Sequence, residues 1–342
     1  MRKFFALVFF FVLLMVTPYY VINQKFEGNT ITLGMSGPFS GGLNSVGNQF
    51  LMGANIYFEN LNKTGGVYGR EIKIIAKDDR YEPRIAIEFL RNPINPLVLN
   101  ARAGDMDEIE KLVKYYVDVL HFKKIALFYQ NDAYGNAGLI GVKSALERRN
   151  LTLAGEGSYK RNTLSVGNAL YEIELCNPDV ILMIGSTAPV AEFIKRARKS
   201  SKIDKNVHFG LFSFVEPYQL IELVNKEGKN ITFAQVVPSP WTSEVDEVEQ
   251  YRVLMRKYYP QERLSHVSLE GFFAARMIAE VFKTVGPSFT KEEFIKELGH
   301  FSQTLDENAV SKNRDERCKC LHRVHLSEYV EDDFFSIGER DE

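Results

Sequence analysis

Short apolar runs alternate with amphipathic stretches along most of the chain. The apolar runs rich in β-branched residues predict strands at 31–35, 71–79, 124–129, 178–185 and 208–214. Helical spacing predicts helices at 49–62, 138–149, 190–198, 265–285 and 291–298, and a further helix opens at Glu82-Pro83-Arg84. Alternation of strands and helices predicts parallel sheets covered by helices on both faces. We therefore expect an α/β fold of the doubly wound type.

The first 27 residues follow a different pattern. Arg2 and Lys3 precede an uncharged apolar run from Phe4 to Val21, which is typical of an export signal. No small-x-small cleavage motif follows, and the run is near the lower limit for crossing a bilayer. We expect residues 1–27 to be a signal peptide or signal anchor. Gly28 onward is then periplasmic or otherwise extracytoplasmic, either free or anchored to the membrane by residues 4–21.

Length and charge narrow the function classes. A chain of 342 residues is too long for one ordinary core and suits two domains. Its 42 basic and 44 acidic residues leave a formal net charge of −2, so no basic face for nucleic acid is expected. Three cysteines form no complete disulfide framework, and the Cys318-Lys319-Cys320 pair lacks a second metal half-site. We expect no metal and no cofactor.

Catalytic motifs are absent from the sequence. It contains no Gly-x-Ser-x-Gly and no His-Glu-x-x-His, and the stretch SGPFSGG (36–42) lacks the Gly-Lys-Ser/Thr ending of a phosphate loop. The adjacent carboxylates Asp78 and Asp79 end a predicted strand, where neighbouring side chains face opposite ways. Such a pair is more typical of a turn cap than of an acid pair or metal site. The sequence therefore favours a protein that is not an enzyme.

Polar residues collect at the carboxyl ends of the predicted strands. Ligands of doubly wound sheets bind outside these ends. The segments there are 36–38, 78–79, 130–135, 185–187 and 211–214, and they are rich in Gly, Ser, Asp and Tyr, which hold small polar ligands. Loops are usually polar, so for any single segment a purely structural role remains open. As a set, the segments indicate a site for a small polar solute.

Several phrases, read in order, resemble one family. They are ITLGMSGPFSG (31–41), GANIYFENLNKTGGVYGREIKIIAKDD (53–79), KKIALFYQNDAYGNAGL (123–139), NPDVILMIGSTAPVAEFIKRAR (177–198), FGLFSFV (209–215) and SLEGFFAAR (268–276). The chain is similar to the branched-chain amino-acid (Leu/Ile/Val-type) periplasmic binding proteins, the substrate-binding components of ABC transporters. The resemblance implies the type I periplasmic-binding fold, with two α/β lobes joined by a hinge and the ligand between them. It divides the chain into a first lobe of 28–119 plus 241–300 and a second lobe of 120–240 plus 301–342.

The resemblance also implies site residues. Tyr134 matches the aromatic residue that covers the ligand, Ser186 matches a ligand-facing position after a strand, and Ser36 ends the first strand of the first lobe. Ser213 stands where amino-acid binders often carry an acidic residue. Because a hydroxyl cannot neutralise a buried ammonium, an amino acid and a neutral amide or related solute both stay open as ligands.

A gap near Glu88 and Phe89 sets the chain apart from the family. The phrase FLRNPINPLVLNARAGDMDE (89–108) resembles one that the family carries well downstream. The resemblance implies a gap of about 40 residues, somewhat more than one strand–helix–strand unit, so the first lobe would be incomplete. We expect an extracytoplasmic binding protein of an ABC importer, whose partner is a permease in the cytoplasmic membrane. A sensor subunit for a membrane receptor and a binding-deficient remnant remain alternatives.

Overall fold

The computed structural model describes residues 28–90, 102–310, 323–330 and 333–337. The expected signal or anchor at 1–27 and the Cys318–Cys320 pair lie outside the described residues. Within the described ranges, no helix is long and apolar enough to cross a membrane.

Strands and helices alternate along most of the described chain, as the hydrophobic pattern predicts. The strands are β1 (Thr30–Gly37), β2 (Glu71–Asp78), β3 (Ile125–Gln130), β4 (Gly155–Tyr159), β5 (Val180–Ile184), β6 (His208–Leu211), β7 (Ile231–Gln235), β8 (His325–Val330) and β9 (Asp333–Ile337). The helices are α1 (Asn44–Lys63), α2 (Pro83–Leu90), α3 (Asp105–Val113), α4 (Ala133–Glu147), α5 (Gly167–Glu174), α6 (Thr187–Lys199), α7 (Pro217–Val224), α8 (Asp246–Tyr258), α9 (His266–Val285) and α10 (Lys291–Val310).

The strands form two sheets. β1 and β2 pair in parallel, with Ile31 opposite Ile72, and make a two-stranded sheet. The other strands form a seven-stranded sheet in the order β4-β3-β5-β6-β7-β8-β9, in which only the pairs β7–β8 and β8–β9 are antiparallel. Every residue of β5 is buried, because helices cover both faces of this sheet. The architecture is α/β and rich in parallel strands, as the sequence predicts.

The small sheet is held mainly by helices. Its core joins Ile31 and Ile72 to side chains of α1, α8 and α9, and Phe294 of α10 packs against it. We call β1, β2, α1, α8, α9 and α10 the small half. Helices α1 and α9 cross at glycines: a Cβ on Gly53 would lie 1.7 Å from the carbonyl oxygen of Ser268, and one on Gly271 would lie 2.0 Å from that of Phe50. The two backbones therefore touch, which leaves no room for larger residues.

The large sheet has a core on each face. One contains Phe128, Phe193 and Phe209 with side chains of α5, α6 and α7, and the other contains Leu127 and Leu182 with side chains of α3 and α4. We call β3–β9 with α3–α7 the large half. The division predicted from the sequence places residues up to 119 with the first lobe, whereas residues 109–117 pack in the core of the large half. The lobe boundaries themselves stay a prediction.

Candidate functional site

Four side chains from three parts of the chain form a polar cluster of two buried and two half-buried residues, which we call the Arg102 cluster. It consists of Arg102, which precedes α3, Glu108 of α3, Ser213 just after β6, and Glu270 of α9. The guanidinium of Arg102 donates to Glu108 Oε1 at 2.7 Å and to Glu270 Oε1 at 3.3 Å. It also donates to the hydroxyl of Ser213. Since Glu270 belongs to the small half and Glu108 to the large half, Arg102 joins the two.

Glu108 is the most deeply buried member of the cluster. Its side chain is 1% exposed, and both of its carboxylate oxygens accept from Ser213: the backbone N–H donates to Oε2 at 2.8 Å and the hydroxyl to Oε1 at 2.7 Å. Burial raises the pKa of Glu108 to about 7, against the opposing effects of Arg102 and of the Ser213 hydrogen bonds. The carboxyl is therefore poised to gain or lose a proton near neutral pH.

The other charged groups share this environment. Burial raises the pKa of Glu270 and of Asp105, and the charge of Arg102 opposes both shifts. Burial lowers the pKa of Arg102, but the carboxylates of Glu270, Glu108 and Asp105 have the larger effect and raise it. The guanidinium thus stays charged, held by acidic side chains of both halves.

Aromatic rings border the Arg102 cluster. Tyr134, in the first turn of α4, meets Phe214 edge to face with ring centroids 5.3 Å apart, and the guanidinium of Arg102 lies 5.7 Å from the centroid of Phe214. Burial raises the pKa of Tyr134 well above its usual range, and the nearby charges of Asp105 and Glu108 act in the same direction. Two of the predicted site residues, Tyr134 and Ser213, therefore lie at one cluster.

A second polar group, which we call the Gln130 network, also joins the halves. Gln130 ends β3 and is fully buried; it donates to the hydroxyl of Tyr81 at 3.2 Å and accepts from Tyr159 at 3.0 Å. Arg161 lies over the ring of Tyr81 at 4.3 Å, donates to the Tyr81 carbonyl at 2.8 Å, and forms an ion pair with Asp132. The loop after β2 is thereby fixed to the large half.

The two remaining predicted site residues lie at the ends of the Gln130 network. The backbone N–H of Ser186 donates to the hydroxyl of Tyr159 at 3.1 Å, and burial raises the pKa of Tyr159 to about 12. The hydroxyl of Ser36 donates to Asp79 Oδ2 at 2.8 Å, while Asp79 Oδ1 accepts from the N–H of Tyr81 at 2.9 Å. Hydrogen bonds therefore lead from Ser36 to Ser186 through residues of both halves.

The turn after β2 has an uncommon backbone. Arg80 and Tyr81 both have positive φ, 54° and 61°, a region that bulky residues seldom occupy. Asp78 stabilises the turn by accepting from the N–H groups of Phe39, Ser40 and Arg80. Asp78 is thus a turn cap, the role that its position at a strand end favours.

A cavity of about 390 Å³ lies between the halves, beside the amino-terminal ends of α1 and α7. Ser45, Gln49 and Arg263 line it from the small half, and Glu216 and Gln219 line it from the large half. Glu216 is buried and caps α7, since its Oε2 accepts from the N–H of Gln219 at 2.6 Å. Gln49 Oε1 is buried and has no hydrogen-bond partner in the described part of the chain. The cavity is therefore lined by polar and charged side chains of both halves.

Glu108, Arg102 and Glu270 are not among the residues that the sequence indicates. Position 213 has no acidic side chain of its own, but Glu108, 105 residues earlier in the chain, places a carboxylate against Ser213. No periodicity connects these residues, because α3 reaches Ser213 only through packing on the large sheet. No set of three or more His, Cys, Asp or Glu side chains able to hold a metal ion occurs among the described residues.

Comparison with known proteins gives a family match over most of the chain. The family model described as periplasmic binding protein matches residues 30–95 and 88–317. The match therefore consists of two segments that overlap at residues 88–95. The family resemblance of the sequence places a gap at the same position.

One curated relative is an amino acid binding protein of Pseudomonas aeruginosa, 28% identical over 112 residues. The match covers 33% of this chain and 26% of the relative, so it spans about a quarter of that protein's length.

Solved structures share the fold. A possible leucine/isoleucine/valine-binding protein from Rhodopirellula baltica has a TM-score of 0.77 at 23% identity, covering 92% of this chain and 97% of its own. A branched chain amino acid ABC transporter protein from Thermus thermophilus with bound valine has a TM-score of 0.73 at 15% identity, with the same coverage of 92% and 97%.

Proposed function

Because the chain belongs to the periplasmic binding protein family, we propose that it is the solute-binding component of an ABC importer. The family implies an extracytoplasmic location and a binding role. We propose that the chain binds an amino acid or a related small polar solute between its two halves and delivers it to a permease in the cytoplasmic membrane. Binding, rather than catalysis, is the proposed activity.

The convergence of polar and aromatic groups from both halves carries this proposal. The Arg102 cluster and the Gln130 network each contain residues of the small half or its loop and residues of the large half. Both lie at the carboxyl ends of strands, where open α/β sheets bind their ligands. A solute that contacts both halves stabilises their closed arrangement, which is how a two-lobed protein couples binding to recognition by a membrane partner.

The ligand class rests on the chemistry of these groups and on the relatives. Tyr134 and Phe214 offer apolar ring surface, while Ser36 and Ser186 carry hydroxyl groups and the cavity is lined by amide side chains. These groups suit a small solute with a polar end and an apolar body. The curated relative is an amino acid binding protein and one structural neighbour carries valine, which supports amino acids and their amides as the first compounds to test.

A thermal-shift screen of the purified full-length chain tests the proposal. A solute that binds only the folded state must raise the melting temperature, because it stabilises that state by RT ln(1 + c/Kd), where c is its free concentration. We expect at least one amino acid or amide to do so, and the Tyr134→Ala variant to respond less. If no compound of either class shifts the melting temperature, the binding proposal is wrong and a binding-deficient remnant takes its place. The two-stranded sheet and the two-segment family match favour that alternative.

A sensor subunit is the second candidate function. The apolar stretch 4–21 without a cleavage motif favours it, because an uncleaved stretch would hold the protein beside a membrane receptor. Neighbouring genes discriminate: permease and ATPase genes support transport, whereas a kinase or cyclase gene supports sensing. Fractionation with amino-terminal sequencing tests the anchor directly, since a soluble product that starts near Gly28 excludes it.

A further inference from the structure

The side chain of Arg102 is almost fully engaged. A guanidinium has five N–H groups, and those of Arg102 form four hydrogen bonds: to the Ala103 carbonyl, Glu270, Glu108 and the Ser213 hydroxyl. Its face lies over Phe214. Two carboxylates, a hydroxyl and an aromatic ring are the groups that recognise a cationic ligand. Here they surround a cation that the chain itself supplies.

The carboxylate that accepts from Arg102 is held in place by other residues. Glu108 Oε2 is held by the backbone N–H of Ser213 and Oε1 by its hydroxyl, so the carboxylate is oriented by the large half alone. At 1% exposure an unpaired carboxylate is costly, and a neighbouring cation offsets that cost. This cation is the guanidinium of Arg102, a residue outside α3 and the large sheet that reaches Glu108 through its side chain. The guanidinium of Arg102 therefore occupies the position next to Glu108 that a cationic ligand would occupy.

We infer that Arg102 is a built-in occupant of a cation subsite and thereby determines specificity. While its guanidinium fills the space against Glu108, the ammonium of a solute cannot bind there. Solutes of the native protein are recognised elsewhere between the halves, without an ammonium on Glu108; this part rests on the proposed function. Removal of the Arg102 side chain turns the subsite into a site for small guanidinium or alkylammonium ions; this part needs no natural ligand.

Chemical rescue of Arg102→Ala tests the inference. The variant loses the cation but keeps Glu108 and Ser213, so its melting temperature falls. Methylguanidinium chloride at roughly 10 mM should raise it again by several degrees, with saturation, while an equal concentration of sodium chloride should not. The wild-type protein should show no such rise, because its subsite is filled.

Arg276→Ala is the matched control. Arg276 pairs with Glu247 at 2.6 Å, with side-chain exposures of 24% and 19%, close to the 25% and 16% of Arg102 and Glu270. Among the described residues, no aromatic ring lies under the Arg276 guanidinium and no backbone N–H orients Glu247, so the melting temperature of Arg276→Ala should not respond to methylguanidinium. If Arg102→Ala responds no more than Arg276→Ala or the wild type, Arg102 is only a structural ion-pair residue and the inference is wrong.

A second variant keeps the test decisive if Arg102→Ala does not fold. Arg102→Ala combined with Glu108→Gln removes the unpaired carboxylate but preserves the size of the side chain. The double variant should melt at a higher temperature than Arg102→Ala and show no methylguanidinium response. A double variant that is as unstable as the single one overturns the inference. A failed solute screen, in contrast, overturns the proposed function and leaves the rescue result valid.

Discussion

The backbone N–H of Ser213 donates to Glu108 Oε2 at 2.8 Å while its hydroxyl donates to Oε1 at 2.7 Å. One residue thus satisfies both oxygens of a carboxylate on another element. Position 213, where a hydroxyl replaces the acidic residue implied by the family resemblance, consequently remains next to a negative charge. Glu108 provides the charge and Ser213 orients it.

The stability contributed by Glu108 should depend on pH. Its folded-state pKa is about 7 and its ordinary value 4.5, so between these values the folded chain binds more protons than the unfolded one. Stability from this group is therefore highest at low pH and falls as pH rises through 7. Relative to Glu108→Gln, the wild type should lose about 1 kcal/mol of unfolding free energy between about pH 6 and pH 8.

Urea unfolding of both proteins at the two pH values measures this difference. Shifts of other groups, such as the lowered pKa of buried His266, cancel in the comparison. Asp105 and Glu270, which face the same guanidinium, remain in both proteins. A difference that stays constant or increases with pH would show that Glu108 is already ionised throughout this range.

Two substitutions at Ser213 should distinguish the loss of a hydrogen bond that orients Glu108 from the addition of a negative charge beside Glu108. Ser213→Ala removes the hydroxyl bond but keeps the backbone bond, and should cost about 2 kcal/mol of unfolding free energy. Ser213→Glu places a second carboxylate against Glu108 in a buried site and should cost about 3–5 kcal/mol. Denaturant unfolding checks both values. A Ser213→Glu protein as stable as Ser213→Ala would mean that Glu108 is not held in this position.

Tyr134 should contribute ring contact to a bound solute. Once the screen identifies a solute, Tyr134→Ala should weaken its binding by about 1–3 kcal/mol, the loss expected for a buried aromatic contact. Titration calorimetry measures the change in Kd. Tyr171→Ala is the control, since Tyr171 is 56% exposed on the large half, and its Kd should equal that of the wild type. An unchanged Kd for Tyr134→Ala would remove Tyr134 from the site.

The glycines at the α1–α9 crossing should resist substitution. Gly271→Ala must push α9 away from the Phe50 carbonyl, 2.0 Å from the added Cβ, and should cost about 1–3 kcal/mol of unfolding free energy. Gly34→Ala is the control, because a Cβ on Gly34 meets nothing within 4 Å. Thermal unfolding of the two variants should differ by several degrees. Equal melting temperatures would mean that the helices can separate freely.

Much of the fold could be predicted from the sequence because its strong signals are local. The five predicted strands appear as β1, β2, β3, β5 and β6 with shifts of a few residues at their ends. β4 was missed because its sequence GEGSY contains two glycines, and β7 because ITFAQ is short and flanked by polar residues. α10 extends to Val310, beyond the predicted end at 298, through a polar stretch with weak periodicity.

The candidate site was predictable only in part. Strand ends and family phrases indicated Tyr134, Ser186 and Ser213, all on the large half, and Ser36 on the small half. Arg102 and Glu108 are six residues apart, but their contacts with Ser213 and Glu270 join residues that are 105 to 168 positions apart, and no local pattern indicates such contacts. Charged residues in amphipathic helices ordinarily face solvent, and only the packed structure distinguishes those that are buried.

The turn at Arg80 and Tyr81 is held from two sides: Asp78 and Asp79 accept its N–H groups locally, and the large half holds the side chain of Tyr81. Each bulky residue at positive φ costs roughly 1–3 kcal/mol, and here the ring of Tyr81 is held by Gln130 and Arg161 on the other side. Separation of the halves would break these contacts and let the backbone at Arg80 and Tyr81 relax, which would offset part of the cost of separation.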